Sequence, residues 1–80
     1  MQEIYQKVRE LIGEKKGLKP EDIFMTNSFE ELDMDSLDSV ELISELEDYF
    51  KVSIPNQELL KIRTVKEAVE SLEKLVNSSK

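Results

Sequence analysis

The eighty residues contain no cysteine and no histidine. Without cysteine there is no disulfide, no thiolate metal site and no thiol nucleophile, and nothing ties the chain to an oxidising compartment. Without histidine, the usual general base near neutral pH and the commonest metal ligand are both missing. Hydrolytic or metal-dependent catalysis by this chain alone is disfavoured, and the expectation is a protein that is not an enzyme. No apolar run approaches the roughly 18 residues of a membrane span, and the N-terminal MQEIYQKVRELIG lacks the apolar centre of a signal peptide. A soluble cytoplasmic protein is expected, or an organellar one that has lost a transit peptide. No stretch alternates like a strand, and there is no repeat, linker or low-complexity tract.

Bases are missing from one long stretch. Residues 20–50 hold eleven acids and no lysine or arginine, whereas the remainder holds seven acids and eleven bases, for a net charge of −7. A face of one sign repels itself and weakens the fold, so its better use is to attract a basic partner and speed encounter. Nucleic acid would be repelled.

What is present is helical periodicity. In residues 3–16, Ile4, Tyr5, Val8, Leu11 and Ile12 make one apolar stripe, with Lys15 and Lys16 at the negative C-terminal end and Gly17 as a left-handed stop. Gly13, inside this helix, costs about 1 kcal/mol relative to alanine and suggests close approach of a neighbour. Residues 18–33 keep no helical period. Pro20 opens a short turn, SFEE at residues 28–31 has capping-box spacing, and Leu18, Ile23, Phe29 and Leu32 are the pegs expected to pin this long loop. Residues 33–50, DMDSLDSVELISELEDYF, read as a helix opening on a serine. On a wheel of about 100° per residue, Leu42, Ile43, Leu46, Tyr49 and Phe50 form a core stripe, which leaves Leu37 and Val40 opposite, among Asp38, Glu41, Glu47 and Asp48. Val52 and Ile54 then point inward, NQELLKI makes one to two helical turns after Pro55, and Thr64 with Glu67 caps a last helix to about Val76. Its stripe is Val65, Ala68, Val69, Leu72, Leu75 and Val76. The expected fold is all-α, a small four-helix bundle of three main helices and one short helix with a long first loop. One domain spans residues 1–80, and 77–80 form a frayed polar tail.

Three chemistries compete for DMDSLDSVEL. A calcium loop opening at Asp33 and Asp35 needs glycine at its sixth position and a bidentate glutamate at its twelfth, where Asp38 and Ser44 stand. The Asp-x-Asp of haloacid-dehalogenase-type phosphatases follows a buried strand in a far larger α/β domain. Ser36 is the third candidate. It can be a plain N-cap, and with no base nearby it is no hydrolase nucleophile. It can also be an attachment point, because a phosphate at a helix N-terminus meets free N–H groups and the positive end of the dipole.

At DSLDSVEL the chain resembles the prosthetic-group motif of acyl carrier proteins, in particular the stand-alone type of dissociated fatty acid synthesis. The resemblance extends over VRELIGEKKGL, NSF, LEDYFKVSIPNQE and KIRTVKEAVESL. It implies that Ser36 carries 4′-phosphopantetheine, whose thiol holds acyl chains as thioesters, and that the bundle around Val8, Leu42, Leu46, Val69 and Leu72 opens to shelter them. It also implies a second helix that faces basic partners through Asp35, Leu37, Asp38, Val40, Glu41, Glu47 and Asp48. Those partners are a phosphopantetheinyl transferase (holo-acyl-carrier synthase), ketosynthases, acyltransferases, reductases and dehydratases, met by a monomer. The chain departs from the family pattern at Asp33, where a glycine is usual, in a preceding loop one residue shorter, and at Ser44, where an apolar residue is frequent. Weaker or more polar partner contact is expected at Ser44. The alternatives are a D-alanyl, polyketide or peptidyl carrier or, from another class, an unmodified acidic helical adaptor.

Overall fold

The computed structural model describes residues 2–78. Four α-helices follow one another: α1 (Gln2–Lys16), α2 (Ser36–Phe50), α3 (Asn56–Leu59) and α4 (Val65–Ser78), with a 3-10 turn at Pro20–Asp22. The apolar stripes explain the packing. Ile4, Val8 and Ile12 of α1, Leu42, Ile43 and Leu46 of α2, and Val65, Ala68, Val69 and Leu72 of α4 close one buried core, completed by Ile23, Phe29, Met34, Ile54 and Ile62 from the connections. Fully burying a branched aliphatic side chain contributes about 1.5–3 kcal/mol, so these stripes dominate the folding energy.

The first loop is held by its main chain as well as by its pegs. Phe29 N–H donates to the Arg63 carbonyl at 2.9 Å, Val65 N–H to Asn27 at 3.0 Å and Lys66 N–H to Met25 at 3.1 Å, around an isolated antiparallel bridge between Ser28 and Thr64. The SFEE box forms, with Ser28 N–H on Glu31 at 2.7 Å and Glu31 N–H on the Ser28 hydroxyl at 3.1 Å. Thr64 and Glu67 close the second box by reciprocal bonds of 3.1 Å. This stitching anchors the loop that leads into α2, and so positions its start.

Four expectations are corrected. Leu18 is no peg: it is 39% exposed, because its N–H caps α1 by donating to the Gly13 carbonyl at 3.0 Å, and this turn points its side chain outward. Tyr49 lies at the edge of the wheel's core arc, and what covers it there is a cation. It is 59% exposed, its ring edge-on to Phe50 with Lys7 Nζ 4.4 Å over its centre. The second helix begins at Ser36 and not at Asp33, and the cap is Asp35, not the serine. The last helix continues through Asn77 to Ser78, beyond Val76; Ser79 and Lys80 lie outside the described residues.

Candidate functional site

Ser36 owes its position to the three residues before it. Asp33 adopts φ 60°, the left-handed conformation that glycine favours and in which aspartate is enriched among residues with a side chain. Met34 is buried, its N–H held by the Phe29 carbonyl at 2.9 Å, so the chain dips into the core and rises again at Asp35. The Asp35 carboxylate accepts the Asp38 N–H at 2.9 Å while the Asp38 carboxylate accepts the Asp35 N–H at 3.4 Å. This reciprocal box satisfies two orphan donors and sets two negative groups at the positive end of the helix dipole. Ser36 is thereby released from capping. It is the first helical residue, exposed, and its hydroxyl has no hydrogen-bond partner among the described residues.

The expected partner-facing residues fall into distinct situations. Leu37 is 67% exposed and Val40 is exposed beside it, both beyond the core. Asp38 also bonds Lys16 of α1 at 2.8 Å. That hydrogen bond lowers the Asp38 pKa below its ordinary value and raises that of Lys16 above its own. Glu41 lies 3.7 Å from Lys15, which also reaches Glu45 at 3.5 Å. Glu47 is half-buried and turned away, its carboxylate taking the Ile54 N–H at the exit of α2. Asp48 is exposed.

The bundle residues Val8, Leu42, Leu46, Val69 and Leu72 are all fully buried. The open space is elsewhere. A cleft of about 450 Å³ runs beside Ser36, with Phe29, Met34, Val40, Ile43, Leu59, Leu60 and Ile62 as its apolar lining and Arg63 as its one base among the described residues. Leu60, 78% exposed, lines the same cleft as Val40. Sequence reading missed the lysine pairs, the burial of Met34 and the cleft. The signal for the pairs was two adjacent lysines at the end of a helix, shortly before the base-free stretch.

These residues fit a covalently attached anionic arm. The serine hydroxyl is free and outward, the Ser36 and Leu37 amides at the helix start have no carbonyl to meet within the helix, and an apolar cleft lies alongside. Such a site is suited to bear a group on an exposed hydroxyl, as a carrier domain does.

The comparisons agree. The family described as "Phosphopantetheine attachment site" matches residues 6–72. An acyl carrier protein of Rubrobacter xylanophilus is 46% identical over 70 residues, 86% of each chain. The crystal structure of an acyl carrier protein from Thermotoga maritima superposes with a TM-score of 0.83 at 34% identity, covering 92% of this chain and 87% of that one. An Enterococcus faecalis acyl carrier protein gives 0.79 at 28%, over 92% and 95% of the chains. The chain belongs to the acyl carrier protein family. It is a carrier of acyl groups on 4′-phosphopantetheine. Among the described residues no helix is long and apolar enough to cross a membrane.

Proposed function

We propose that Ser36 is the attachment residue and that the protein delivers acyl chains to the enzymes of fatty acid synthesis in the cytoplasm. The observation that carries this reading is the exposed, unpartnered Ser36 hydroxyl at the first position of α2, next to an apolar cleft. Loading is a transfer from coenzyme A. The Ser36 Oγ–P bond forms, the P–O bond to the departing adenosine 3′,5′-bisphosphate breaks, and the hydroxyl proton passes to a base of the transferase. When bound, the arm supplies a terminal thiol that carries acyl groups as thioesters. The chain's own residues do the rest. The free amides of Ser36 and Leu37 would hold the phosphodiester, and the cleft beside Ile43, Leu59 and Ile62 would shelter apolar cargo from water.

Leu37, Val40 and the acids Asp35, Asp38, Glu41 and Asp48 form the face that basic patches of transferase, ketosynthase, acyltransferase, reductase and dehydratase partners meet. Long-range attraction makes such encounters fast, and the small apolar contact keeps them brief. Glu47 is better read as structural, because it is committed to the Ile54 N–H.

Intact mass after incubation with coenzyme A and a promiscuous phosphopantetheinyl transferase tests the assignment. One arm mass should be gained, and Ser36→Ala should abolish the gain. No gain on the wild type, or a gain that survives Ser36→Ala, refutes it. An unmodified adaptor would instead bind its partner equally well with Ser36→Ala and never label.

A further inference from the structure

Apart from exposed Asp48, the acids along this helix are not free. Asp35 and Asp38 cap one another, Asp38 holds Lys16 at 2.8 Å, and Glu41 and Glu45 share Lys15 at 3.7 and 3.5 Å. The two lysine side chains are only 19% and 22% exposed, whereas those of Glu41 and Glu45 are about half exposed. Their stems therefore lie along the protein surface with the ammonium groups delivered to the acids, in the manner of snorkelling side chains. Both lysines sit in the last turn of α1, immediately before the Gly17 turn, so the backbone that carries them is fixed.

Exposed pairs of this kind contribute little to folding. Their larger effect is on the field, because potentials add, and two cations placed at Asp38, Glu41 and Glu45 subtract charge where a partner's cations would arrive. An incoming arginine or lysine must displace a resident ammonium group or share its acid.

We propose that Lys15 and Lys16 are resident competitors for basic partners: they occupy the Ser36 end of the docking helix and hold partner affinity low enough for prompt release. This rests on the reading of α2 as the face for basic partners. The consequence is specific to place, since removing these two charges should tighten docking more than removing two charges elsewhere.

The test uses the full-length apo protein, with a phosphopantetheinyl transferase of basic docking face and coenzyme A as the probe. KM for the carrier is compared among wild type, Lys15→Gln/Lys16→Gln, Lys15→Arg/Lys16→Arg and a charge-matched control on α4, Lys66→Gln/Lys74→Gln. In low salt the Lys15→Gln/Lys16→Gln protein should show KM lowered about three- to tenfold with kcat changed less than about twofold. At about 0.5 M NaCl the difference should collapse. The arginine pair should behave as wild type, and the α4 control should lower KM less than about twofold. An unchanged or raised KM overturns the proposal, as does a control that lowers it equally. If the double variant does not fold, Lys15→Gln alone leaves the Lys16–Asp38 bond intact, and KM must then fall about two- to threefold. Failure of the two readings is distinguishable. A wild type that never labels overturns the carrier assignment and this proposal together, whereas normal labelling with an unmoved KM overturns only the competition.

Discussion

Replacing Gly13 by alanine sets two physical effects against each other. Alanine is the best helix former and glycine about 1 kcal/mol worse, so at an unobstructed interior position the change would stabilise α1 by that amount. Here the added Cβ would stand 2.7 Å from the Leu18 carbonyl oxygen, where ordinary contact begins at 3.4 Å. That oxygen cannot swing aside cheaply. It belongs to the backbone that caps α1, through the Leu18 N–H on the Gly13 carbonyl at 3.0 Å, and the rigid ring of Pro20 lies 3.6 Å from the same Cβ. The Pro20 carbonyl is in turn held by Arg9 Nε at 2.7 Å.

Forcing a methyl group into a packed site costs about 1–3 kcal/mol. Weakening the Leu18 cap bond adds about 1 kcal/mol. Set against the propensity gain, the net loss is about 1–3 kcal/mol, which for a domain of this size lowers Tm by about 4–24 °C. Circular dichroism melts and urea titrations of wild type and Gly13→Ala measure it directly. Gly17→Ala is the informative comparison: nothing lies within 4 Å of its added Cβ, and its cost comes only from φ +69°. Gly17→Asn should therefore recover part of the loss at 17. A Gly13→Ala protein that melts at or above wild type would refute the close-approach argument.

Two further outcomes are expected. Asp33→Gly should raise stability by about 0.5 kcal/mol, because φ 60° strains any residue that carries a Cβ; a melting temperature at or below that of wild type would contradict this. The partly exposed Lys16–Asp38 bond contributes little to folding, but its titration should add a small slope to stability at both pH extremes. Asp38 has a folded pKa below its unfolded one, so its contribution is present above the ordinary carboxylate range, near pH 4, and is lost as pH falls through the lowered value. Lys16 has a raised pKa, so its contribution holds below its ordinary range, near pH 10, and is lost as pH rises past the raised value. Lys16→Met should flatten both flanks of a plot of Tm against pH, and unchanged flanks would show that the bond does not report on folding.

Much of the molecule is local in origin, and that part was legible. The stripes of α1 and α4, the Ser28–Glu31 and Thr64–Glu67 boxes and the Gly17 stop depend on residues within a few positions of each other, and all are present. Leu37 and Val40 were readable as outward-facing because a helix cannot bury opposite sides against one core. The resemblance at DSLDSVEL pointed to the right family for the same reason: the motif is contiguous.

What escaped the sequence was decided by contacts between distant segments. Asp35 and Ser36 are both competent caps, and the choice between them was made by the left-handed turn at Asp33 and the burial of Met34 under Phe29. A wheel cannot say that Lys7 covers Tyr49, nor that the exit turn brings the Ile54 N–H to Glu47. By itself the sequence determined four helices, their apolar faces and a serine at the head of an acidic one, because helical period and capping act over a single turn. Only the tertiary structure decided that Asp35 caps so that Ser36 is free, that a cleft lies beside it, and that two lysines of α1 sit on the acids, because each depends on how separate helices are placed against one another.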